Sequence, residues 1–556
     1  MEAMVTAVSR ARDARIKEIE REESEFYAQR KRLKEHQVKG VQWMSAMYDC
    51  GLSCILGDEM GMGKTAQAVT LIARLLAKGY ATCEQPILVV VPLAVLKGWQ
   101  DEFDAWLSPQ RGAVDLVVYH ASAAGRREMA GSLIERWKRD GGVERPVIVL
   151  TTPGMLLTDF EVINGHGGRW SLVMVDEAHL AKNHASSFSR HLQAVETESL
   201  VLITGTIVHN NVEEELLHML SLVVPPVAKD ALLALPKQLK IGGGESGLFV
   251  GEGRPSAELR VISKVLYCFM LRRLMHGVAM PPKSSCTVYL PQTPLQKRLY
   301  GEESKKSYDK AMVDRHPFLG ILQSIQLFIP QPRASIADQD RRIMQAAEEH
   351  SAKFQFLMHI LPTLLRRPGE QNKHRVLIFS TSVRLLHLLG LCLCEKRYHV
   401  DLITGQVNDI DERKQRLDRF NAGGANAPEI MLLSTKAMGQ GVQLTGADTV
   451  IFFDHHDNPQ NDNQAEARAY RITQQRPVLV LRLVTRGANE ENAMQSWVKE
   501  KREIQHWLEF TQAIGSSSSS SAAAAPAPLQ CIASDGLEHL LLDRRKSGLY
   551  TMDWQA

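Results

Sequence analysis

A short segment of the sequence has residue types suited to binding a phosphate group. It runs from Asp58 to Thr65, reads DEMGMGKT, and lies between an apolar run and the helix-favouring run 66–76. Glycines let backbone N–H groups face phosphate oxygens, and strand–loop–helix is the context that a P-loop requires. Lys64 would pair with the β- and γ-phosphates of a nucleotide, and Thr65 would hold Mg²⁺. Asp58 stands where the general pattern has its first glycine.

Two adjacent carboxylates form the second candidate group. Asp176 and Glu177 follow the apolar run Val173–Val175 and precede Ala178 and His179. Asp176 could hold Mg²⁺ through water, and Glu177 could polarise the attacking water. Paired acids are also common in ordinary turns, so the pair is informative chiefly because it follows the P-loop lysine by 112 residues (176 − 64). Together the two segments predict a composite ATPase site.

Helices and strands must bring these groups together. Strands are indicated by short β-branched runs, which recur in two sets along the chain. Such runs are typical of buried parallel strands, and most are followed by a polar turn, as in open α/β sheets whose strand ends carry function. The first set is Ile87–Val91, Leu116–Val118, Val147–Leu150, Leu172–Val175 and Leu200–Ile203. The second set is Arg375–Phe379, Val400–Ile403, Ile430–Leu433, Thr449–Phe453 and Val478–Leu483. We therefore predict two α/β domains, separated by a more helical stretch.

Length and composition set the outer bounds. The chain has 556 residues, 66 basic and 63 acidic, with 44% hydrophobic and 23% charged residues. These values exclude wholesale disorder, and a net charge of +3 argues against a polycation while leaving room for a local basic groove. The apolar stretches are too short to span a bilayer, and the charged start predicts a helix rather than a signal peptide. The eight cysteines form no CxxC pair or zinc spacing, which predicts reduced thiols in an intracellular compartment.

Taken together, these residues resemble the Swi/Snf-like ATPases of helicase superfamily two, whose phosphate loop has the form D-E-M-G-x-G-K-T. The resemblance extends from about Leu33 to about Glu491. It implies two RecA-like lobes, each a parallel sheet flanked by helices, with helical protrusions between them. In the first lobe it implies an ATP site that contains Gln37, which would read adenine, and the loop residues Asp58, Glu59, Met60, Gly61, Met62, Gly63, Lys64 and Thr65.

Further motifs of the same family lie downstream. The resemblance implies that Val89–Leu93 with Trp99 faces DNA, and that Thr204 and Thr206 lie in a motif that couples hydrolysis to movement. The stretch that would link the lobes contains Phe269–Arg273 and Pro281–Lys283. The second lobe would contribute the coupling or DNA-facing residues Ser380 and Thr435, the nucleotide contact Gln464, and the arginine fingers Arg468 and Arg471.

The expected activity is that of a DNA-dependent ATPase using ATP and Mg²⁺. The resemblance implies an ATP-dependent translocase on double-stranded DNA. Such an enzyme would act as a chromatin or nucleoprotein remodeller in the nucleus. Its partners would be nucleosomes or other nucleoprotein, and it would not bind a membrane. The basic run 30–34 fits nuclear targeting, although a solvated helix face explains it slightly better.

Two alternatives stay open. One is a nucleic-acid-unwinding helicase of the same superfamily, against which the loop and the linker-region F-M-L-R-R argue. The other is a weakly active DNA-binding or scaffold protein, motivated by departures from the family pattern. These departures are His209, Met438, Gln440, Gln443, Asp457, Tyr470 and Thr473.

The expected domain organisation has seven parts. Residues 1–32 form a charged helical extension, 33–225 the ATP-binding lobe, 226–350 the helical protrusions and interlobe linker, and 351–490 the second lobe. A brace-like helix (491–513), a Ser/Ala/Pro linker (514–528) and a tail (529–556) follow, the tail being a possible site for a protein partner.

Overall fold

The fold is that of a computed structural model. It describes residues 2–28, 33–107, 114–121, 125–137, 145–181, 186–205, 212–226, 228–230, 232, 249–250, 254–255, 257–275, 280–297, 345, 347–366, 374–404, 410–424, 427–435, 443–455, 459–487 and 551–555. The described residues form two compact units, one before and one after the junction between Ala279 and Met280.

The first unit is built on a seven-stranded parallel sheet. Its strands are β1 (Cys54–Leu56), β2 (Ile87–Val90), β3 (Asp115–Tyr119), β4 (Val147–Thr151), β5 (Leu172–Asp176), β6 (Leu200–Ile203) and β9 (Met270–Leu271), and a hairpin of β7 (Phe249–Val250) and β8 (Arg254–Pro255) lies outside it. The sheet order is β3-β4-β2-β5-β6-β1-β9. The inner strands β2, β4 and β6 are buried along their whole length, because helices cover both faces of such a sheet.

The helices of this unit connect and flank the strands. They are α1 (Glu2–Glu22), α2 (Ser24–Ala28), α3 (Glu35–Asp49), α4 (Lys64–Ala77), α5 (Leu93–Trp106), α6 (Arg126–Trp137), α7 (Pro153–Thr158), α8 (Phe160–Ile163), α9 (Ser187–Ala194), α10 (Val212–Val223) and α11 (Ala257–Phe269), with a 3₁₀ turn at Ala178–Ala181. The starts follow ordinary capping chemistry: α7 begins after Thr152, whose hydroxyl accepts the Met155 N–H, and α9 begins after Ser186, whose hydroxyl accepts the Ser189 N–H.

The N-terminal helix is held to the body of the first unit by a buried ionic cluster. Arg74 on α4 is 1% exposed and donates to Glu23 (Nε–Oε2 2.8 Å) and to Asp49 (Nη2–Oδ2 2.7 Å). Arg15 on α1 donates from Nε to the same Asp49 carboxylate at 2.9 Å. Since an unpaired buried charge is costly, these pairs fix α1, α3 and α4 to one another.

The second unit is also built on a seven-stranded sheet. Its strands are β10 (Lys283–Leu290), β11 (Val376–Ser380), β12 (Val400–Ile403), β13 (Ile430–Ser434), β14 (Thr449–Phe452), β15 (Val478–Thr485) and β16 (Thr551–Gln555), in the order β12-β13-β11-β14-β15-β10-β16. All neighbours pair in parallel except β16, which is antiparallel to β10. The helices are α12 (Ala352–Leu365), α13 (Val383–Glu395), α14 (Ile410–Ala422) and α15 (Pro459–Ala469).

Alternate residues of β11 enter two separate cores. Val376 and Ile378 pack with α12 and α13, whereas Leu377 and Phe379 pack with α14 and α15. Because side chains alternate across a strand, a sheet with helices on both faces must be apolar at successive positions. This explains why the continuous β-branched runs predicted strands so well.

The predicted fold class is confirmed: two parallel sheets flanked by helices, with all ten predicted runs present as strands. Four strands lie within 226–350, which was expected to be helical and connecting: β7 and β8 form the hairpin, β9 joins the first sheet and β10 joins the second. The tail contributes β16 to the second sheet.

Several predicted features fall outside the described residues: the brace helix, the Ser/Ala/Pro linker, most of the protrusion and Thr206. Within the described part of the chain, no helix is both long and apolar enough to cross a membrane.

Candidate nucleotide site

The predicted phosphate loop lies between β1 and α4. Gly63 has φ +76° and so adopts the left-handed conformation that glycine tolerates, which lets α4 begin directly at Lys64. The Lys64 Nζ donates to the backbone oxygens of Asp58 (2.9 Å) and Glu59 (3.2 Å). The lysine therefore lies across its own loop, next to the N-terminus of a helix, where backbone N–H groups favour an anion. Thr65 is the second residue of α4 and is half-buried.

The two carboxylates lie at the end of β5. Asp176 Oδ1 accepts the Glu177 N–H at 2.9 Å, and Asp176 Oδ2 accepts the Trp99 Nε1–H at 2.9 Å. Glu177 has φ +50°, a conformation uncommon for a non-glycine residue, and its Oε2 lies 3.1 Å from His179 Nδ1. Backbone strain of this kind is concentrated at functional positions.

Lysine and carboxylates meet because their strands are close in the sheet. In the order β5-β6-β1, parallel strands end at one edge, which places Lys64 and Asp176 on that edge. Burial lowers the pKa of Lys64, and the charges of Glu177, Asp58 and Asp176 oppose that shift. Burial, and then the charge of Glu177, raise the pKa of Asp176 to about 6. A cation bound here would favour the ionised form of Asp176.

The predicted coupling motif contains Thr204 and Gly205, which lie beside the phosphate loop. Thr204 is buried just after β6, and its N–H donates to Leu56 O at 3.1 Å. A Cβ on Gly205 would lie 2.5 Å from Met60 Cγ and 3.2 Å from Lys64 Nζ, so a larger residue here would require the Met60 side chain to shift. The loop and the end of β6 are therefore in direct contact.

Gln37, predicted to read adenine, contacts the phosphate loop. Its Oε1 accepts the Lys34 N–H at 2.9 Å, and its Nε2 donates to Met62 O at 3.2 Å. His36 Nε2 lies 3.2 Å from the same carbonyl oxygen. Burial lowers the pKa of His36, which keeps this imidazole neutral near pH 7.

Sequence reasoning missed the partners of Asp58. This carboxylate is fully buried and accepts from Arg273 (Nε–Oδ1 2.9 Å) and from Gln67 (Nε2–Oδ2 3.1 Å). Arg273 belongs to the segment that follows β9, 215 residues along the chain. The repeated basic pair Arg272–Arg273 was visible in the sequence, but no spacing rule links it to the loop.

The second unit gathers the remaining predicted residues around α15 and the ends of β11 and β13. Gln464 and Arg468 lie on α15, Arg468 being 9% exposed, and Arg471 is half-buried in the turn that follows. Ser380 Oγ donates to Asp454 Oδ2 at 2.5 Å, and the Thr435 N–H donates to Ser380 O at 3.1 Å. Each unit thus holds its own group of site residues.

The donor set of the first unit fits Mg²⁺ and a nucleotide. A lysine amine, a threonine hydroxyl and a helix N-terminus suit phosphate and its metal, and a carboxylate oxygen is a ligand that Mg²⁺ prefers. A Cβ on Gly63 would lie 2.2 Å from Gln37 Nε2, so the loop is closely supported from α3.

This sheet and site define a helicase-type P-loop ATPase. Residues 36–363 match the family model described as the SNF2-related domain, and residues 352–473 match the helicase conserved C-terminal domain. The chain belongs to the SNF2-related family. The predicted resemblance and the enzyme class of a helicase-like ATPase are thereby confirmed.

Several curated proteins are similar to the chain. Chromodomain-helicase-DNA-binding protein 7 from Gallus gallus is 31% identical over 84% of this chain and 15% of its own length, and the Homo sapiens protein is 31% identical over 84% and 16%. Chromodomain-helicase-DNA-binding protein 1-like from Danio rerio is 32% identical over 83% of this chain and 42% of its own length. The chain thus spans well under half the length of these relatives.

A solved structure also aligns with the chain. It is the Sulfolobus solfataricus SWI2/SNF2 ATPase core in complex with dsDNA, at 22% identity and a TM-score of 0.38, over 85% of this chain and 92% of that one. The strand pairing described above, and not this alignment, is the evidence for the architecture.

Proposed function

We propose that the chain is an ATP-dependent translocase on double-stranded DNA that acts on nucleosomes or other nucleoprotein. The observation that carries the proposal is the placement of Lys64, Asp176 and Glu177 at one edge of the sheet, where β1 and β5 end on either side of β6. Arginines in the second unit, Arg468 and Arg471, supply the second half of a family-type site.

Each residue of the first unit has a separate task in this proposal. When Mg·ATP is bound, the γ-phosphate is the electrophile for water. Lys64 would leave the carbonyl oxygens of its loop to pair with the β- and γ-phosphates, and Thr65 and Asp176 would hold Mg²⁺. Glu177 orients the attacking water, and its contact with His179 limits the directions in which its carboxylate can point.

The second unit completes the site in the transition state. Arg468 and Arg471 stabilise the charge on the transferred phosphate, and Gln464 contacts the nucleotide. Thr204, Thr206, Ser380 and Thr435 couple the nucleotide state to DNA. Contacts to DNA are mainly to phosphates, so binding is sensitive to salt and nearly independent of base sequence.

The relatives support the assignment to DNA and chromatin through their names, which describe helicase and DNA-binding proteins with chromodomains. We place the protein in the nucleus. Residues 33–225 serve as the ATP-binding lobe and 351–490, with β10, as the second lobe, while the tail offers a site for a protein partner.

The decisive experiment is ATP turnover measured side by side with no nucleic acid, single-stranded DNA, duplex DNA and nucleosomes. The proposal expects stimulation by duplex DNA and nucleosomes above that by single strands. Triplex displacement without strand unwinding would separate a translocase from a helicase. Turnover that duplex DNA leaves unchanged, and that Lys64→Ala leaves unchanged, would instead support a scaffold protein.

A further inference from the structure

The phosphate loop contains a buried carboxylate at a position where a general P-loop has glycine. Asp58 is fully buried, and both its oxygens are occupied. Oδ1 accepts from Arg273 Nε at 2.9 Å, and Oδ2 accepts from Arg273 Nη2 at 2.5 Å and from Gln67 Nε2 at 3.1 Å. The arginine therefore binds the carboxylate through two parallel hydrogen bonds, the strongest geometry for such a pair.

This carboxylate lies next to the group that would bind phosphate. The Asp58 backbone oxygen accepts from Lys64 Nζ at 2.9 Å, and the charge of Asp58 acts on that lysine. A negative charge so near a triphosphate would oppose binding unless a cation balanced it, and an unpaired buried charge would be costly in itself. Arg273 supplies that positive charge.

The same guanidinium joins the loop to two helices. Its Nη2 donates to Gln67 Oε1 on α4 at 2.9 Å, and its Nη1 donates to His36 O at the start of α3. The side-chain amide of Gln67 thus uses both its atoms: Oε1 accepts from Arg273, and Nε2 donates to Asp58. One side chain therefore holds the loop, the helix that follows it and the helix that carries Gln37.

Backbone hydrogen bonds extend this connection along the segment after β9. The Gly57 N–H donates to Leu271 O at 2.8 Å, and the Glu59 N–H donates to Arg273 O at 2.9 Å. The Met275 N–H donates to Glu59 Oε2 at 2.7 Å. These three hydrogen bonds connect residues 57–59 directly to residues 271–275.

We propose that Arg273 is a positioning residue of the ATP site, which holds Asp58 and Gln67 so that the phosphate loop keeps a shape able to accept Mg·ATP. Through the paired backbone it also transmits changes in the loop to the segment by which the chain leaves the first sheet. This inference rests on the proposed nucleotide-binding function, and it assigns to Arg273 a task separate from contact with the nucleotide.

The test measures binding of a fluorescent N-methylanthraniloyl-ATP with Mg²⁺ to the full chain, without DNA. Arg273→Met should weaken nucleotide binding about 10- to 100-fold. This is the range seen when a side chain that orients a metal-binding residue is removed. Arg273→Lys, which keeps one charge but not the two-pronged geometry, should lie between Met and wild type. Asp58→Asn added to Arg273→Met should recover part of the loss, because it removes the unpaired charge.

Arg169→Met is the matched control, since the Arg169 side chain is more than half exposed and donates to Glu198 and to the Thr197 carbonyl oxygen. It should bind the analogue as wild type does. Wild-type binding by Arg273→Met, or no recovery in the double variant, would overturn the inference. If Arg273→Met fails to fold, the Lys variant decides, because equal binding by Lys and wild type contradicts the role. If duplex DNA does not stimulate ATP turnover by the wild type, the proposed function is contradicted. The binding test of Arg273 stays valid in that case, because it is done without DNA.

Discussion

The indole N–H of Trp99 donates to Asp176 Oδ2 at 2.9 Å, across 77 residues of sequence. Trp99 lies on α5 and is 1% exposed, and the bond itself is partly buried. The other carboxylate oxygen accepts the Glu177 N–H. The orientation of the proposed magnesium ligand is therefore set by a side chain from the motif that the sequence assigned to DNA.

Trp99→Phe should raise the Mg²⁺ concentration needed for ATP turnover while changing the stability of the fold little. The ring keeps most of its packing, but Asp176 loses the donor that orients it, and losses of supporting partners typically cost about 10- to 100-fold in metal affinity or activity. Titration of ATP turnover with Mg²⁺ measures the effect. Trp106→Phe is the control, because Trp106 donates to Glu102 on the same helix at 2.7 Å. Equal magnesium dependence in both variants would refute the role of Trp99.

Glu177→Gln should bind ATP but not turn it over. The amide keeps the shape of the side chain and loses its ability to polarise water, which is worth about 10²- to 10⁴-fold in general-base catalysis. Single-turnover hydrolysis and nucleotide binding are measured on the same preparation, with the exposed Glu161→Gln as control. Normal turnover in Glu177→Gln would contradict the assignment.

Arg471→Ala should lower kcat while leaving nucleotide affinity largely intact. An arginine finger acts on charge that develops in the transition state, and its removal costs about 10³- to 10⁵-fold in kcat. Arg419→Ala, at a 58% exposed arginine on α14, is the control. A large loss of ATP binding at unchanged kcat is the outcome that this role forbids.

The helix that carries Arg468 is held by a charged cluster at the start of β10. Lys283 Nζ donates to Glu466 Oε1 at 2.6 Å and lies 5.3 Å from the centroid of the Tyr470 ring, and the Tyr470 hydroxyl donates to Pro281 O at 3.2 Å. Arg482 donates to the other oxygen of Glu466. Tyr470, a departure from the family pattern, thus has a defined packing role.

Lys283→Met should therefore lower kcat with a smaller effect on KM, because α15 loses one anchor and the fingers lose their alignment. We expect about a tenfold loss, within the range for a positioning partner. The control is Lys396→Met, which removes a surface pair with Glu348. Unchanged kcat in Lys283→Met would contradict the positioning role of Lys283.

Arg74→Met should destabilise the first unit strongly. It leaves Glu23 and Asp49, 4% and 6% exposed, without their main partner, and breaking a buried pair from one side costs about 3–5 kcal/mol. Denaturant unfolding measures the change in the free energy of unfolding. The transition of each unit is followed separately, because two units need not unfold together. Arg136→Met, which loses a more exposed pair with Asp115, should cost less than about 1 kcal/mol.

Sequence patterns predicted the sheets well where burial makes a strand uniformly apolar. They missed β10, because it begins with Lys283, Ser284 and Ser285 and pairs with a strand almost 200 residues away, which no local pattern reveals. The phosphate loop and Asp176 were found from motifs. Arg273 was assigned no site role, because its partnership with Asp58 depends on two distant segments meeting in space.

The pairing of β10 with β15 has a consequence for biosynthesis. Lys283 pairs with Val478, so 195 residues (478 − 283) must leave the ribosome before this ladder can close. At common elongation rates of about 5–20 residues per second, that delay is roughly 10–40 s. During it, a strand with an unpaired edge is exposed to other chains, and long-range parallel pairing is slow even afterwards. Until β15 emerges, β10 therefore presents an unpaired edge to which a chaperone could bind.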